Sequence, residues 1–463
     1  MTFLNLSFNR IRGKFSGKYV HMQEIGLSSN YFEGPLPPIT TKCSNINLSK
    51  NKFSGSLHSL SVVEDLSLSF LDISHNQLSG ALSNNWMHFS GLAFLNLGYN
   101  NFSGKIPTSM GNLYNLQTLI LRNNNLYGEL PSSLKHCQGL GFVDFGLNKL
   151  SGKVPSWIGE SLPQLYGLIL KSNRFYGILP REICRLSNLH FLDVSINRIS
   201  GTIPSCFSNL TAMVLKGNEV VEQTYLPYYP FENSSAFVGS QEVEKAPEEP
   251  QNYSYFDSVL ARWKGQEFEY GRNFAYLKMI DLSTNKLSGE IPIGITKLVE
   301  LRGLNLSGNY FYGKVPPEIG RLNVLECLDL SRNNFSGAIP PSMSGLNFLA
   351  YLDLSKNNFS GRIPSGTQLQ GFNISAYEQN AELCGKPLTN ICPGDEPVDY
   401  IQPSSGKYEV NEEDGEYEMW LYISAVLGFV SAFWGFIGTL LLNRRWGRAY
   451  FFFLDNFFHK LKF

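Results

Sequence analysis

Charge is the first thing this sequence is short of. Asp, Glu, Lys and Arg make up 17% of its 463 residues and nearly cancel, leaving a formal net charge of −1. Such a balance offers no basic face for nucleic acid, so no nucleic-acid partner is expected. Cysteine is sparse and scattered. Cys43, Cys137, Cys184, Cys206, Cys327, Cys384 and Cys392 include no Cys-x-x-Cys pair, which speaks against a structural zinc site. The HExxH and GxSxG motifs and phosphate-cradling glycine loops are all missing. The histidines are dispersed and read as surface residues rather than ligands. No metal, no cofactor and no catalytic residue is expected, and the chain reads as a non-enzyme.

What it has in abundance is Leu, Asn, Ser and Gly in a fixed order. From Leu92 the text runs LAFLNLGYNNFSGKIP, from Leu116 LQTLILRNNNLYGELP, and from Leu140 LGFVDFGLNKLSGKVP. The frame returns at Leu165, Leu189, Leu277, Leu301, Leu325 and Leu349, with degenerate copies around Asn9, Asn30, Asn51 and Asn76. The period of about 24 residues lies in the leucine-rich-repeat range, and roughly thirteen copies are present, with another begun near Asn218. Repeats of this kind grow as one continuous core. The fold class expected is therefore an α/β solenoid, a curved leucine-rich-repeat superhelix with a parallel sheet on its concave face.

Stacking explains each position. The Leu-x-Leu pair sits on a short strand whose alternate side chains point inward. The Asn that follows (Asn100, Asn124, Asn148, Asn173, Asn197) both donates and accepts, so a ladder of its amides can satisfy turn backbone groups that burial would orphan. The Gly-x-Ile-Pro segment then turns the chain. The x positions around Leu-x-Leu face solvent on the concave side. In the last four repeats these are uniform: Asp281, Asn305, Asp329 and Asp353, each followed by Leu-Ser. In the middle repeats they vary and are large, so Phe94, Tyr99, Arg122, Phe142, Tyr166 and Lys171 are the expected ligand-binding residues. Asp329 and Asp353 would lie about 4.8 Å apart on neighbouring strands, a separation that suits a retaining glycosidase. That face is open, with no apolar pocket to raise a pKa, and Ser331 and Ser355 can bond the carboxylates instead.

The period stops once. The stretch 218–274 carries Glu242, Glu244, Glu248 and Glu249 with Tyr225, Tyr228, Tyr229, Tyr253, Tyr255 and Phe256, too aromatic for a plain linker. Beyond the last repeat, LCGKPLTNIC (Leu383 to Cys392) reads as a cap on the final apolar layer. An acidic run with Glu409, Glu412, Glu413, Asp414, Glu416 and Glu418 follows. Trp420 to Leu442 then carries no charge and is long enough to span a bilayer. Arg444, Arg445 and Arg448 set the following end in the cytoplasm. The expectation is a single-pass type I protein of the plasma membrane with extracellular repeats. Two rows of small residues, Ser424, Gly428 and Ala432, and Ser431, Gly435 and Thr439, recur at helical spacing and suit close packing against another helix in lipid. The tail is far below the size of a kinase domain, and its phenylalanines and lysines suit the inner leaflet of the bilayer.

The organisation expected is thus repeats over 1–217 without an N-terminal cap, an island insertion over 218–274, four repeats over 275–364, a cap over 365–395, an acidic segment over 396–419, a transmembrane helix over 420–442 and a cytoplasmic tail over 443–463. Sequons at Asn5, Asn47, Asn101, Asn209, Asn233, Asn252, Asn305, Asn334, Asn358 and Asn373 fit an extracellular, glycosylated surface, although Asn-Leu-Ser and Asn-Phe-Ser also arise from the repeat itself.

Together, the LxxLxLxxNxLSGxIP repeat, the island before the last four repeats, the LCGKPL cap, the acidic run, the single span and the short tail resemble plant receptor-like proteins, the group that includes the Cf-type disease-resistance receptors. Within the island, Tyr255 through Lys264 and Gly265 matches that family's Y-x8-KG pattern, and Lys264 through Tyr270 its K-x5-Y pattern. The resemblance implies a cell-surface sensor of an extracellular peptide, protein or glycan, of microbial, wall or developmental origin. It implies signalling through leucine-rich-repeat receptor kinases, one joined through the span and a second meeting the island end (Tyr255, Lys264, Gly265, Tyr270) and last repeats. Plant defence is the role expected. The alternatives are a developmental receptor, or a non-signalling binding or decoy protein resembling repeat inhibitors of wall-degrading enzymes. One departure is that Met1 begins inside a strand, with FLNLSFN at Phe3–Asn9 and no signal peptide, so an N-terminally truncated or degenerate copy is expected. Of the cysteines, Cys384 and Cys392 are expected to staple the cap. Cys184 and Cys206, about one period apart, are expected to meet on one flank, leaving Cys43, Cys137 and Cys327 as thiols.

Overall fold

The computed structural model describes residues 3–15, 22–37, 43–57, 68–215, 259–263, 266–270 and 277–395. Among these, no helix is long and apolar enough to cross a membrane. The segment 420–442, with Ser424, Gly428, Ser431, Ala432, Gly435 and Thr439, lies outside the described residues, as do the acidic run and the tail.

Each repeat begins with a strand of three residues, such as Phe94–Asn96, Thr118–Ile120 and Phe142–Asp144. Thirteen of these pair in parallel, strictly in chain order, into one sheet. The central residue of each strand points into the core: Leu95, Leu119 and Val143 stand in register and are buried. Behind them the second leucine of each repeat, the loop leucines and a column of phenylalanines complete one continuous apolar cluster. In the column, Phe311, Phe335 and Phe359 stack at 6.1 and 6.2 Å between ring centroids.

The asparagine ladder turns this column of strands into one object. Asn124 Nδ2 donates to Leu97 O (3.0 Å) in the preceding repeat and to Leu121 O (3.1 Å) in its own, while its Oδ1 accepts from Phe102 N at 2.9 Å. The same set recurs at Asn148, Asn309 and Asn333. One buried amide per layer thus ties each turn to its neighbour, satisfying groups that would otherwise be orphaned.

The segment expected only to turn the chain forms a second sheet. The Asn-x-Leu-Ser-Gly segments, including Lys149–Lys153, Arg174–Ile178, Arg198–Gly201 and Lys286–Gly289, pair in parallel into a lateral sheet of 14 strands. Each is short and runs into a glycine at positive φ, such as Gly152 at 96°, a signature that reads as a turn in sequence.

The island leaves the stack without breaking it. The strand Phe191–Asp193 pairs directly with Met279–Asp281, placing Asp193 in register with Asp281. Asn285 closes the ladder across the gap: its Nδ2 donates to Val194 O and its Oδ1 accepts from Ile199 N, both at 3.0 Å. Lys278 Nζ donates to Leu215 O at 3.0 Å, tying the two ends of the excursion together. Within the island, Val259–Trp263 and Gln266–Tyr270 form an antiparallel hairpin with Val259 opposite Tyr270. Tyr255, Lys264 and Gly265 lie outside the described residues.

Two disulfides fasten this architecture. Cys184 and Cys206, with Cα atoms 5.8 Å apart, join the flanks of adjacent repeats just before the island, and Cys384 and Cys392, 5.1 Å apart, close the cap. Cys43, Cys137 and Cys327 are buried thiols.

Replacing Asn285 by Ala would leave the Ile199 amide and the Val194, Leu282 and Ser283 carbonyls short of a partner. The expected loss is about 3 kcal/mol in urea unfolding, against less than about 0.5 kcal/mol for the exposed Asn209→Ala. Equal midpoints for the two variants would mean that the ladder does not hold the layers across the island.

Candidate ligand-recognition face

The outward side of the first sheet is organised in three rows. In most repeats the strand ends in Asp or Asn and the residue two further on is Ser or Gly. The side-chain oxygen of the first then accepts the amide of the second: Ser74 N to Asp72 (2.9 Å), Gly98 N to Asn96 (3.0 Å), Ser307 N to Asn305 (3.1 Å). This explains the uniform Asp and Asn of the last repeats. Asp329 Oδ1 takes both the amide and the hydroxyl of Ser331, and Asp353 takes the amide of Ser355. These carboxylates, neighbours in register, serve their own turns.

Two middle repeats break the pattern in the same way. Where Asp or Asn is expected stand Ile120 and Ile169, and where Ser or Gly is expected stand Arg122 and Lys171. Each cation acts on a carboxylate of a following layer. Arg122 Nη1 lies 3.3 Å from Asp144 Oδ2, and Lys171 acts on Asp193 and Asp281. Gly146 makes room for the first contact, since a Cβ there would meet Arg122 Nη1 at 3.1 Å. The result is a charged strip, Arg122, Asp144, Lys171, Asp193 and Asp281, across consecutive layers.

Burial sets the electrostatics of this strip. It raises Asp144 above the ordinary carboxylate range, partly opposed by Arg122, and raises Asp193, partly opposed by Lys171. Asp281 is pushed up to about 7 by burial and by the neighbouring Asp193. His190 on the same face is held down to about 4, again by burial, and is neutral.

The expected ligand contacts need correction. Phe94, Phe142 and Tyr166 do lie on this face, but as members of a second buried apolar cluster with Phe70, Ile120 and Phe191. Phe94 is 1% and Tyr166 5% exposed, not solvent-facing. The physical reason is the strand spacing: bulky rings one layer apart pack face to face, as Phe70 and Phe94 do at 4.5 Å. Arg122 and Lys171 are buried as well. Tyr99 alone of the six is partly exposed, in the left-handed conformation (φ 54°) that precedes each ladder asparagine. It stacks on His75 of the preceding repeat at 4.1 Å. Further along the same rim, Ile196 is 46% exposed. His75, His190 and Ile196 were missed from sequence. The row that His75 and Ile196 share with Tyr99 was visible there, since each of these directly precedes a ladder asparagine.

The sequons divide by geometry. Asn47 and Asn305 are buried on this sheet with their amides engaged in turns, and no glycan fits beside them. Asn101, Asn334 and Asn358 open lateral strands and are exposed, as are Asn5, Asn209 and Asn373. Asn233 and Asn252 lie outside the described residues.

A stack of parallel three-residue strands bound by an asparagine ladder defines a leucine-rich-repeat protein. The family model described as Leucine Rich Repeat matches residues 67–89, 91–113, 115–137, 188–210, 276–298, 300–322, 324–346 and 348–369. The chain is 46% identical over 459 residues to "Receptor-like protein EIX2" of Solanum lycopersicum, covering 98% of this chain and 43% of that protein. It is 60% identical over 210 residues to "Receptor-like protein EIX1" of the same plant, covering 45% of this chain and 20% of the relative. The chain thus spans less than half the length of the curated relatives it matches. Its repeats are those of the leucine-rich-repeat family, and over 98% of its length it is similar to a receptor-like protein. Among solved structures it is similar to the Arabidopsis receptor kinase HAESA in complex with the peptide hormone IDA and the co-receptor SERK1, at 29% identity and a TM-score of 0.55, covering 85% of this chain and 63% of that one.

Because Asp281 keeps its proton in the folded state up to about pH 7, whereas the unfolded chain releases it near the ordinary value of about 4, the folded protein holds more protons between those limits. Stability should therefore fall as pH rises through that window. Asp281→Asn, which places there the residue that Asn305 already is one layer on, should flatten the decline in thermal midpoint against pH. An unchanged slope would show that Asp281 titrates normally.

Proposed function

We propose that this chain is the sensing subunit of a cell-surface receptor pair: a membrane-anchored receptor-like protein, without a kinase of its own, that recognises an extracellular ligand on its concave face and signals through partner receptor kinases in plant defence. The observation that carries this reading is the identity of 46% across 459 residues with a protein named as receptor-like. Similarity to a peptide-hormone receptor held in a complex with its co-receptor supports the placement of ligand and partner on the repeat stack.

The ligand, a peptide, protein or glycan, reads the strip where the repeats depart from uniformity. The rim of Tyr99, His75 and Ile196 supplies accessible surface, and the buried polar groups Arg122, Asp144, Lys171 and Asp193 belong to the same face. Aromatic and Arg side chains of this kind dominate binding energy where they are desolvated. Phe94, Phe142 and Tyr166 form the packed floor. Signalling is divided between two contacts. The small-residue rows of the span, Ser424, Gly428 and Ala432 with Ser431, Gly435 and Thr439, dock one kinase in the bilayer, where close approach replaces the hydrophobic effect as the driving force. The island end, with Tyr255, Lys264, Gly265 and Tyr270, meets a second, ligand-dependent kinase together with the last repeats. The acidic run tunes orientation, since exposed ion pairs contribute about 0–1 kcal/mol each.

Expression of the full chain in plant membranes, followed by co-precipitation of kinases, tests this directly. Gly428→Leu with Gly435→Leu should leave the protein in the membrane and strip the constitutive kinase. Lys264→Ala with Tyr270→Ala should spare that kinase and weaken recruitment of the second. A wild-type chain that brings down no kinase at all would sink the receptor reading.

A further inference from the structure

The lateral sheet carries a charge pattern that ligand recognition on the concave face leaves unused. In most of its strands the residue after the ladder asparagine points outward and the next is buried, as with exposed Arg174 and Tyr176 on either side of buried Phe175. In four successive layers the outward residue is a cation: Lys149, Arg174, Arg198 and Lys286. All four are exposed, and none forms an ion pair among the described residues. Closure of the stack across the island keeps Arg198 and Lys286 in adjacent layers, since Arg198–Gly201 pairs directly with Lys286–Gly289, Ser200 standing opposite Lys286. The register steps by two residues per layer, with Arg174 opposite Ser151, Arg198 opposite Tyr176 and Lys286 opposite Ser200, so the four side chains rise in a diagonal row, about 8 Å from one layer to the next.

Tyrosines border this run on the same side of the sheet. Tyr127 (51% exposed) lies one layer before it, Tyr176 (48%) within it and Tyr310 (63%) one layer beyond. Lys153 adds a further cation, its stem lying over Gly177. Acidic groups are confined to the two ends, Glu129 and Glu290, where their stems cover Gly152 and Gly313. The exposed sequons at the same strand-opening position, Asn101, Asn334 and Asn358, all lie outside the run, so glycans there leave it open.

We propose that this stripe docks a linear acidic polysaccharide, a polyuronate. A polymer with one carboxylate on every sugar can meet one cation in every layer, and flat sugar faces can rest on exposed tyrosine rings. The regular spacing of the cations in a line is the property that a folded acidic protein would not match. The stripe holds the receptor to an acidic matrix without occupying the concave face, so its failure would leave the receptor reading untouched.

The test uses the full chain in detergent micelles and fluorescently labelled, de-esterified polygalacturonate, with binding followed by anisotropy. Wild type should bind the de-esterified polymer and not its fully methyl-esterified form. The variant Lys149→Gln, Arg174→Gln, Arg198→Gln, Lys286→Gln should bind about tenfold more weakly or worse, as expected for the loss of four exposed ion pairs. A control variant, Lys135→Gln with Lys297→Gln, removes exposed charge elsewhere and should bind as wild type. Circular dichroism melting checks that both variants fold. Equal affinity of the stripe variant and wild type, binding of the methyl ester at full strength, or equally tight binding of double-stranded DNA would each overturn the proposal.

Discussion

One side-chain amide per layer is the constraint on which this molecule rests. A leucine-rich repeat buries its turn, and a buried turn has backbone groups that water cannot reach. Asparagine meets that demand in both directions at once, donating twice or more through Nδ2 and accepting through Oδ1 from the strand of the preceding layer. Neither Asp, which cannot donate when ionised, nor Ser, with a single proton, can make the same set. The leucines supply the apolar surface that drives stacking, but they are non-directional. The asparagines fix how far each layer lies from the last.

This is why so much of the fold was legible. The Leu-x-Leu spacing, the ladder asparagine and the interruption after Asn218 all map onto the thirteen-stranded sheet and its crossing from Asp193 to Asp281. The lateral sheet was not legible, because Leu-Ser-Gly followed by x-Ile-Pro carries turn residues, and its pairing arises only when identical segments are stacked. Strand propensity plays little part in it.

The candidate site was legible in location and not in exposure. Variation in the middle repeats pointed to Arg122 and Lys171, and these do mark the layers where the side-chain bond to the turn is missing and a cation acts on the next carboxylate instead. The large aromatics beside them, Phe94, Phe142 and Tyr166, were read as ligand-facing because a strand's alternate residues point outward. On a sheet with a neighbour about every 4.8 Å, outward-pointing rings cover one another. A single-repeat view sees direction, whereas burial is a property of the stack. Pairs such as Ile120 with Arg122 and Ile169 with Lys171 were a better signal than residue size, since they give up a local hydrogen bond that nearly every other layer keeps.

The closure of the ladder at Asn285 has a consequence for how this architecture can vary over generations. Because Val194, Ile199 and Leu215 are joined to residues beyond the island, the layers on either side fit each other independently of what is carried between them. The entropic cost of a longer excursion rises only slowly, by about 0.6 kcal/mol for each doubling of its length. The island is therefore free to be lengthened, shortened or rewritten while the repeats stay in phase. Mutation can reshape what this segment touches at a pace set by its partners, with the scaffold exerting little purifying pressure on it.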